Sequence, residues 1–255
     1  MQLKENDLFD NRYLLKEMLG CGGFSDVWLV EDTKIGNKKR ALKIYAPGHG
    51  LDADGVELFI SEFDLVYDLN HPNLLRPSHF DVCERSPYLI MPFCERGSAG
   101  KLVGKISEKE AWLFMRDVAA GLAYLHKQEP PVIHQDIKPD NVLIAHNGQY
   151  QITDFGVSTK ARDSLSRSVG EAKTGGTIPY MSPERFSNDN KPIKESDVWA
   201  LGATLFQLME GYAPFRDYGG LMQKKGAEIP DVQGAFSDEL KEIVNRCLQL
   251  ERVWK

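Results

Sequence analysis

Paired cysteines, a long apolar run and a surplus of positive charge are all missing from these 255 residues. Cys21, Cys83, Cys94 and Cys247 show no CxxC spacing, so they give neither a zinc pattern nor a disulfide framework. Reduced thiols of this kind fit a cytoplasmic location. No stretch approaches the roughly 18 apolar residues of a membrane helix, and the opening MQLKENDLFDNRY lacks the apolar core of a secretory signal. No membrane segment is expected. The formal net charge of -6 leaves no basic face for nucleic acid. Repeats, low-complexity tracts and flexible linkers are absent from the sequence as well.

With 42% hydrophobic and 27% charged residues, a chain of this length buries roughly 70–75% of its unfolded surface, enough for one large domain or two lobes. The first ninety residues read mainly as strands: YLLKEML, SDVWLVED, KRALKIY, SHFDVCE and YLIMPF. One helix interrupts them at about residues 55 to 70. Placing its residues 100° apart puts Val56, Phe59, Ile60, Phe63, Val66 and Tyr67 on one apolar arc. Glu62 falls inside that arc, where a carboxylate is costly unless paired. From Glu108 the period turns helical, in EKEAWLFMRDVAAGLAYLHKQ, KESDVWALGATLFQLMEG and SDELKEIVNRCLQL, with short strands at VIH, VLIA and YQITDF. The fold class is α+β, a small sheet-rich lobe joined near residues 93 to 97 to a larger helical one.

Three stretches carry chemistry. VIHQDIKPDNV (132–142) sets Asp136, Lys138 and Asn141 in a polar loop between apolar pairs, broken by Pro139, which continues neither a strand nor a helix. LGCGGFSDV (19–27) places Gly20, Gly22 and Gly23 between two strands, leaving room for a phosphate to approach backbone N–H groups. Cys21 in that turn reads either as an inert small residue or as a thiol whose pKa the backbone donors lower. Lys43 stands inside an apolar strand, and a face-to-face Lys43–Glu62 pair accounts for the burial of both. In TDFGVS, Asp154 ends a strand; with Asn141 it offers the oxygen donors a hard cation such as Mg²⁺ prefers.

These stretches together, with HPN (71–73), YMSPE (180–184) and DVWALG (197–202) in order, resemble the eukaryotic-type protein kinase family. The resemblance implies a bilobal kinase-like fold over residues 1–255: an antiparallel-sheet lobe (1–93), a hinge (94–97) and a mostly helical lobe (98–255). It implies transfer of the γ-phosphoryl group of ATP to Ser/Thr hydroxyls of protein substrates. Asp136 is then the catalytic base, Lys138 stabilises the transferring group, and Asn141 and Asp154 hold Mg²⁺. Lys43, paired with Glu62, holds the α- and β-phosphates over the turn formed by Leu19, Gly20, Cys21, Gly22 and Gly23. Met91 is the gatekeeper; Pro92 and Cys94 offer hinge backbone groups to adenine, which Val27, Ala41 and Leu143 sandwich. His134 is structural. Thr177 contacts the catalytic aspartate and lysine, and Lys138 two residues after the aspartate resembles the Ser/Thr-specific pattern.

The alternatives are a scaffold that keeps the fold without chemistry and a small-molecule kinase. Such scaffolds usually lose one of the residues that stand here as Lys43, Asp136 and Asp154. Small-molecule kinases lack the long segment that here spans thirty residues from Asp154 to Glu184. Two departures matter. Gln135 replaces the arginine that usually receives an activation-segment phosphate, so order of that segment is expected to come from other contacts or from a regulatory partner. The chain stops before the family's last helix, with Lys255 where the arginine partner of Glu184 is expected.

Overall fold

The computed structural model describes residues 3–22, 25–155, 177–187 and 191–249, and the side chains of Glu62, Leu65 and Val66 lie outside the description. Among the described residues the chain divides into two compact units, one holding residues up to 70 and 75–94, the other 71–74 and 95 onward.

The first unit is a six-stranded antiparallel sheet with one helix. Its strands are β1 (Leu8–Phe9), β2 (Tyr13–Cys21), β3 (Ser25–Asp32), β4 (Lys38–Tyr45), β5 (His79–Cys83) and β6 (Ser86–Pro92), in spatial order β1-β2-β3-β4-β6-β5. Strand alternation sorts the side chains by face. Phe9, Tyr13, Leu15, Trp28, Val30, Leu42, Ile44, Tyr88 and Ile90 form one buried cluster. The two-residue strand β1 is too short to show a period and was not foreseen from the sequence.

Helix α1 (Ala53–Tyr67) packs through aromatic rings: Phe59 lies 4.5 Å from Tyr45, and Phe63 stacks on Phe80 at 4.4 Å, centroid to centroid. Its apolar arc is narrower than the periodicity implies, because Ile60 is 44% and Tyr67 40% exposed while Phe59 is 3%. The contact is made by the rings and leaves the flanks of the arc in solvent.

Beside the hairpin turn, Arg12 grips Asp32 in a two-pronged ion pair, Nε to Oδ1 at 3.0 Å and an Nη to Oδ2 at 2.8 Å. Lys34 N–H adds a third donor to the nearly inaccessible carboxylate. The Arg12 hydrogen bonds hold the Asp32 carboxyl below the usual carboxylate range against the opposing effect of burial. A depressed folded pKa means that this stabilisation is complete above roughly pH 4 and is lost as pH falls through the folded value. Arg12→Ala, which strands the carboxylate, is expected to cost about 3 kcal/mol at pH 7. In urea titrations the stability gap between wild type and Asp32→Asn should shrink below pH ~4; a gap independent of pH contradicts the assignment.

The second unit is mostly helical. Helix α2 (Glu108–His126) opens on a capping box, in which Ser107 Oγ accepts from Glu110 N–H and Glu110 Oε2 accepts from Ser107 N–H. Ala111, Phe114, Val118, Leu122 and Leu125 form its buried stripe. It packs on α3 (Lys194–Glu210), buried on nearly every side, and on the hairpin β7 (Val142–Ile144) and β8 (Tyr150–Ile152). The short α4 (Gly220–Lys224) and α5 (Asp238–Cys247) complete the unit. The HPN segment belongs here: Asn73 donates its side-chain amide to Tyr150 O at 3.0 Å and accepts from Ile152 N–H at 2.8 Å. The expected strand at VIH does not form. Its backbone groups are taken instead by Leu125 O and the Asp197 carboxylate. No helix among the described residues is long and apolar enough to cross a membrane.

Candidate active site

The loop after α2 is shaped by one buried carboxylate. Asp197, in the first turn of α3 and fully buried, accepts His134 N–H and His126 Nε2 at Oδ2, and Gln135 N–H at Oδ1, each at 2.8 Å. These contacts hold Gln135 at φ +69°, a left-handed conformation unfavourable for a non-glycine residue. The turn aims the next residue, Asp136, away from the core. His134 Nδ1 accepts Asp136 N–H at 3.2 Å, so its proton is on Nε2, which donates to Thr153 O at 2.8 Å. The histidine therefore ties the loop to the strand end that precedes Asp154.

Asp136 is a hub. Its Oδ1 accepts both the N–H and the hydroxyl of Thr177, at 3.1 and 2.9 Å. Its Oδ2 faces Asn141 Nδ2 at 2.9 Å and Lys138 Nζ at 3.1 Å. Lys138 Nζ also donates to Thr177 Oγ1 at 2.8 Å. A carboxylate held by four donors is fixed in direction, the requirement for a positioned base.

Asn141 closes the short helical turn Pro139–Asn141, and its Nδ2 also donates to Asp136 O at 2.7 Å. Both of these bonds use the amide nitrogen, and the oxygen is the end that can serve a cation. Thr153 N–H donates to Asn141 O at 3.0 Å, so Asp154, at φ +65°, starts from a point beside Asn141. An amide oxygen and a carboxylate are the hard donors Mg²⁺ takes, and the residues fit that ion.

The nucleotide residues expected from the sequence are split between the units. In the first, Val27 pairs with Lys43, and Ala41 with Met91; by strand alternation all four share the face opposite the Trp28 cluster. Lys43 is 8% exposed, its ammonium 5.2 Å from the Tyr45 ring centroid. Pro92 ends β6 opposite Arg40, and Cys94 is half-buried with its thiol pushed up by burial. Leu19, Gly20 and Cys21 end β2, and Gly22 N–H donates to Ser25 O at 2.8 Å. Gly23 and the Glu62 side chain lie outside the described residues, as do Gly156 and the rest of the activation segment before Thr177. Leu143, on β7, belongs to the second unit.

The expected lowering of the Cys21 thiol pKa is corrected: the Asp26 carboxylate, across the ladder from Cys21, hydrogen-bonds the thiol and raises its pKa. The thiol faces a negative partner. Glu184 Oε1 accepts the hydroxyls of Ser182, at 2.5 Å, and Ser196; Lys255 lies outside the described residues. Neither Asp197 nor His126 announces this role in the sequence. An acid in a helix's first turn reads as a dipole partner and a histidine in a last turn as the converse, which hides their meeting across 71 residues.

The chain matches the protein kinase domain model over residues 13–253 and belongs to that family. It is 31% identical over 209 residues to the serine/threonine-protein kinase PrkC of Bacillus subtilis, covering 80% of this chain and 31% of that protein. To the serine/threonine-protein kinase TOUSLED of Arabidopsis thaliana it is 29% identical over 266 residues, 94% of this chain and 38% of the relative. To human serine/threonine-protein kinase tousled-like 1 it is 30% identical over 273 residues, 97% and 35%. The chain thus spans about a third of the length of these curated relatives.

Proposed function

We propose that the protein transfers the γ-phosphoryl group of ATP to serine or threonine hydroxyls of protein substrates. The observation that carries this reading is the Asp136 hub, with a carboxylate, an ammonium and a hydroxyl-bearing residue converging within 3.1 Å of one another. Asp136 orients the acceptor hydroxyl and takes its proton, Lys138 swings its charge toward the transferring group, and Thr177 keeps the aspartate in place. Within the first unit, Lys43 serves the phosphates and Val27, Ala41, Met91 and Cys94 the adenine. Asn141 and Asp154 would hold Mg²⁺, which when bound neutralises phosphate charge. The names of the serine/threonine-kinase relatives support the acceptor class. The test is incorporation of labelled phosphate into a generic protein substrate with ATP and Mg²⁺; a wild-type chain that transfers none refutes the reading.

Regulation follows from Gln135. Its backbone N–H is spent on Asp197, and its side-chain amide lies 3.5 Å from Ile133 O. A neutral amide reproduces a guanidinium–phosphate contact poorly. Phosphatase treatment is therefore expected to change activity at saturating ATP by no more than about twofold. A loss of about a hundredfold, the upper range of an ordering effect, would overturn this.

A further inference from the structure

Charge on the first unit is sorted to opposite ends of β4. The turn that enters this strand, and the strand itself, carry Lys34, Lys38, Lys39 and Arg40, with no acid between residues 33 and 43. The nearest carboxylates are engaged, Asp32 by Arg12 and Glu31 by Lys16 at 3.9 Å. Lys34 and Lys38 are exposed and form no ion pair among the described residues. The turn is ordered, since Ile35 N–H donates to Asp32 O at 3.1 Å and Lys38 N–H to Ile35 O at 3.2 Å. It presents Ile35, 51% exposed, among these cations. Past Lys43 the balance inverts. From residue 44 to 75 the sequence has no lysine or arginine, and the exposed side of α1 carries Asp54, Glu57 and Asp64, with Asp68 just beyond its end. At 100° per residue Glu57, Ile60, Asp64 and Tyr67 fall within about 80° of one another, and all four are exposed. Arg76, 5.5 Å from the Tyr67 ring centroid, shows that this face accepts a cation.

The two surfaces match in chemistry and cannot meet within one copy. The turn opens β4 at Lys38, whereas α1 packs at the other end of the strand through Phe59 on Tyr45, and seven residues of strand span roughly 23 Å. We propose that the occupant of each surface is a second copy of this chain, with the basic turn of one copy on the exposed face of α1 in the other. Ile35 then sits between Ile60 and Tyr67, which two helical turns hold roughly 10.5 Å apart along the axis, and Lys34 and Lys38 face Glu57 and Asp64. An anionic membrane would attract the turn but repel the acidic helix of the same unit; an opposed copy satisfies both ends. Contacts of this size are weak singly, and a two-fold axis makes the contact twice. No step of phosphate transfer enters this inference.

Sedimentation of the full chain tests it at concentrations on the order of 100 µM, where weak contacts register. Wild type should associate in dilute salt, and raising the salt to about 0.5 M should weaken that association about tenfold or more. Two surface variants carry the decision: one with Lys34→Glu and Lys38→Glu together, the other with Glu57→Lys and Asp64→Lys together. Each alone should stay monomeric, because its turn and helix now repel. An equimolar mixture of the two should associate again, since every contact then pairs opposite charges. Ile60→Ser, which changes no charge, should weaken wild-type association about tenfold and keeps the proposal open to refutation should a charge variant fail to fold. A wild-type chain that is monomeric in dilute salt, a charge variant that still associates alone, or folded variants that stay apart when mixed overturns the proposal. Monomeric chain that instead binds vesicles of about one-fifth phosphatidylserine, with binding lost in the lysine variant, overturns it too and gives the turn to a lipid surface.

Discussion

Asp136→Asn is expected to lower phosphate transfer by about 10²–10⁴-fold, the range for removing a positioned base. The substitution keeps the size of the side chain and one oxygen acceptor while removing the charge and the proton affinity. The four donors around the carboxylate sharpen the expectation. Thr177 N–H and hydroxyl face one oxygen, and Asn141 Nδ2 and Lys138 Nζ face the other. Whichever way the new amide turns, its NH₂ meets donors, so one side of the hub opens and Lys138 loses the charge it balances. ATP binding should change little, because the adenine and phosphate residues named on the first unit are untouched. Single-turnover phosphate transfer and nucleotide titration separate the two. Near-native transfer in Asp136→Asn would remove Asp136 from the role of base.

The parts of this molecule that are legible in the sequence are those decided within a few residues. Strands β3 and β4 announce themselves by apolar content, and α2 by its period and the Ser107–Glu110 box. The catalytic loop is legible because HQDIKPDN packs its polar groups into one turn. What is hidden depends on partners far along the chain. The triplet Val132-Ile133-His134 reads as a strand, yet its backbone donors go to Leu125 O and to Asp197, a residue 63 positions from His134. The direction of the Cys21 shift depends on which residue sits across the ladder. Two register irregularities in the β2–β3 pairing, between Leu15 and Glu17 and between Met18 and Gly20, make that residue Asp26. A glycine-rich turn gives no hint of either irregularity. Gly219 carries no sequence signal of its close approach, in which a Cβ would lie 2.1 Å from Ile178 O.

Asp197→Ala should be the most damaging single change outside the hub. Three donors, His134 N–H, Gln135 N–H and His126 Nε2, lose a fully buried acceptor, and each buried group left unpaired costs about 1–3 kcal/mol. The φ of +69° at Gln135 also loses the contacts that enforce it, and relaxation toward a common conformation is favoured by about 1–3 kcal/mol. That relaxation swings Asp136, the next residue, out of register with Thr177. The expected result is a stability loss of about 3–5 kcal/mol. At roughly 2–4 °C per kcal/mol for a domain this size, the melting temperature falls by about 10 °C. Transfer should fall with it even at temperatures where the variant remains folded. His126→Ala should be milder, since it removes a donor together with its need for an acceptor and leaves both backbone contacts of Asp197 intact. Thermal melts and transfer rates on the two variants check the order, and an Asp197→Ala protein that melts and turns over like wild type would show that Gln135 holds its turn without the carboxylate.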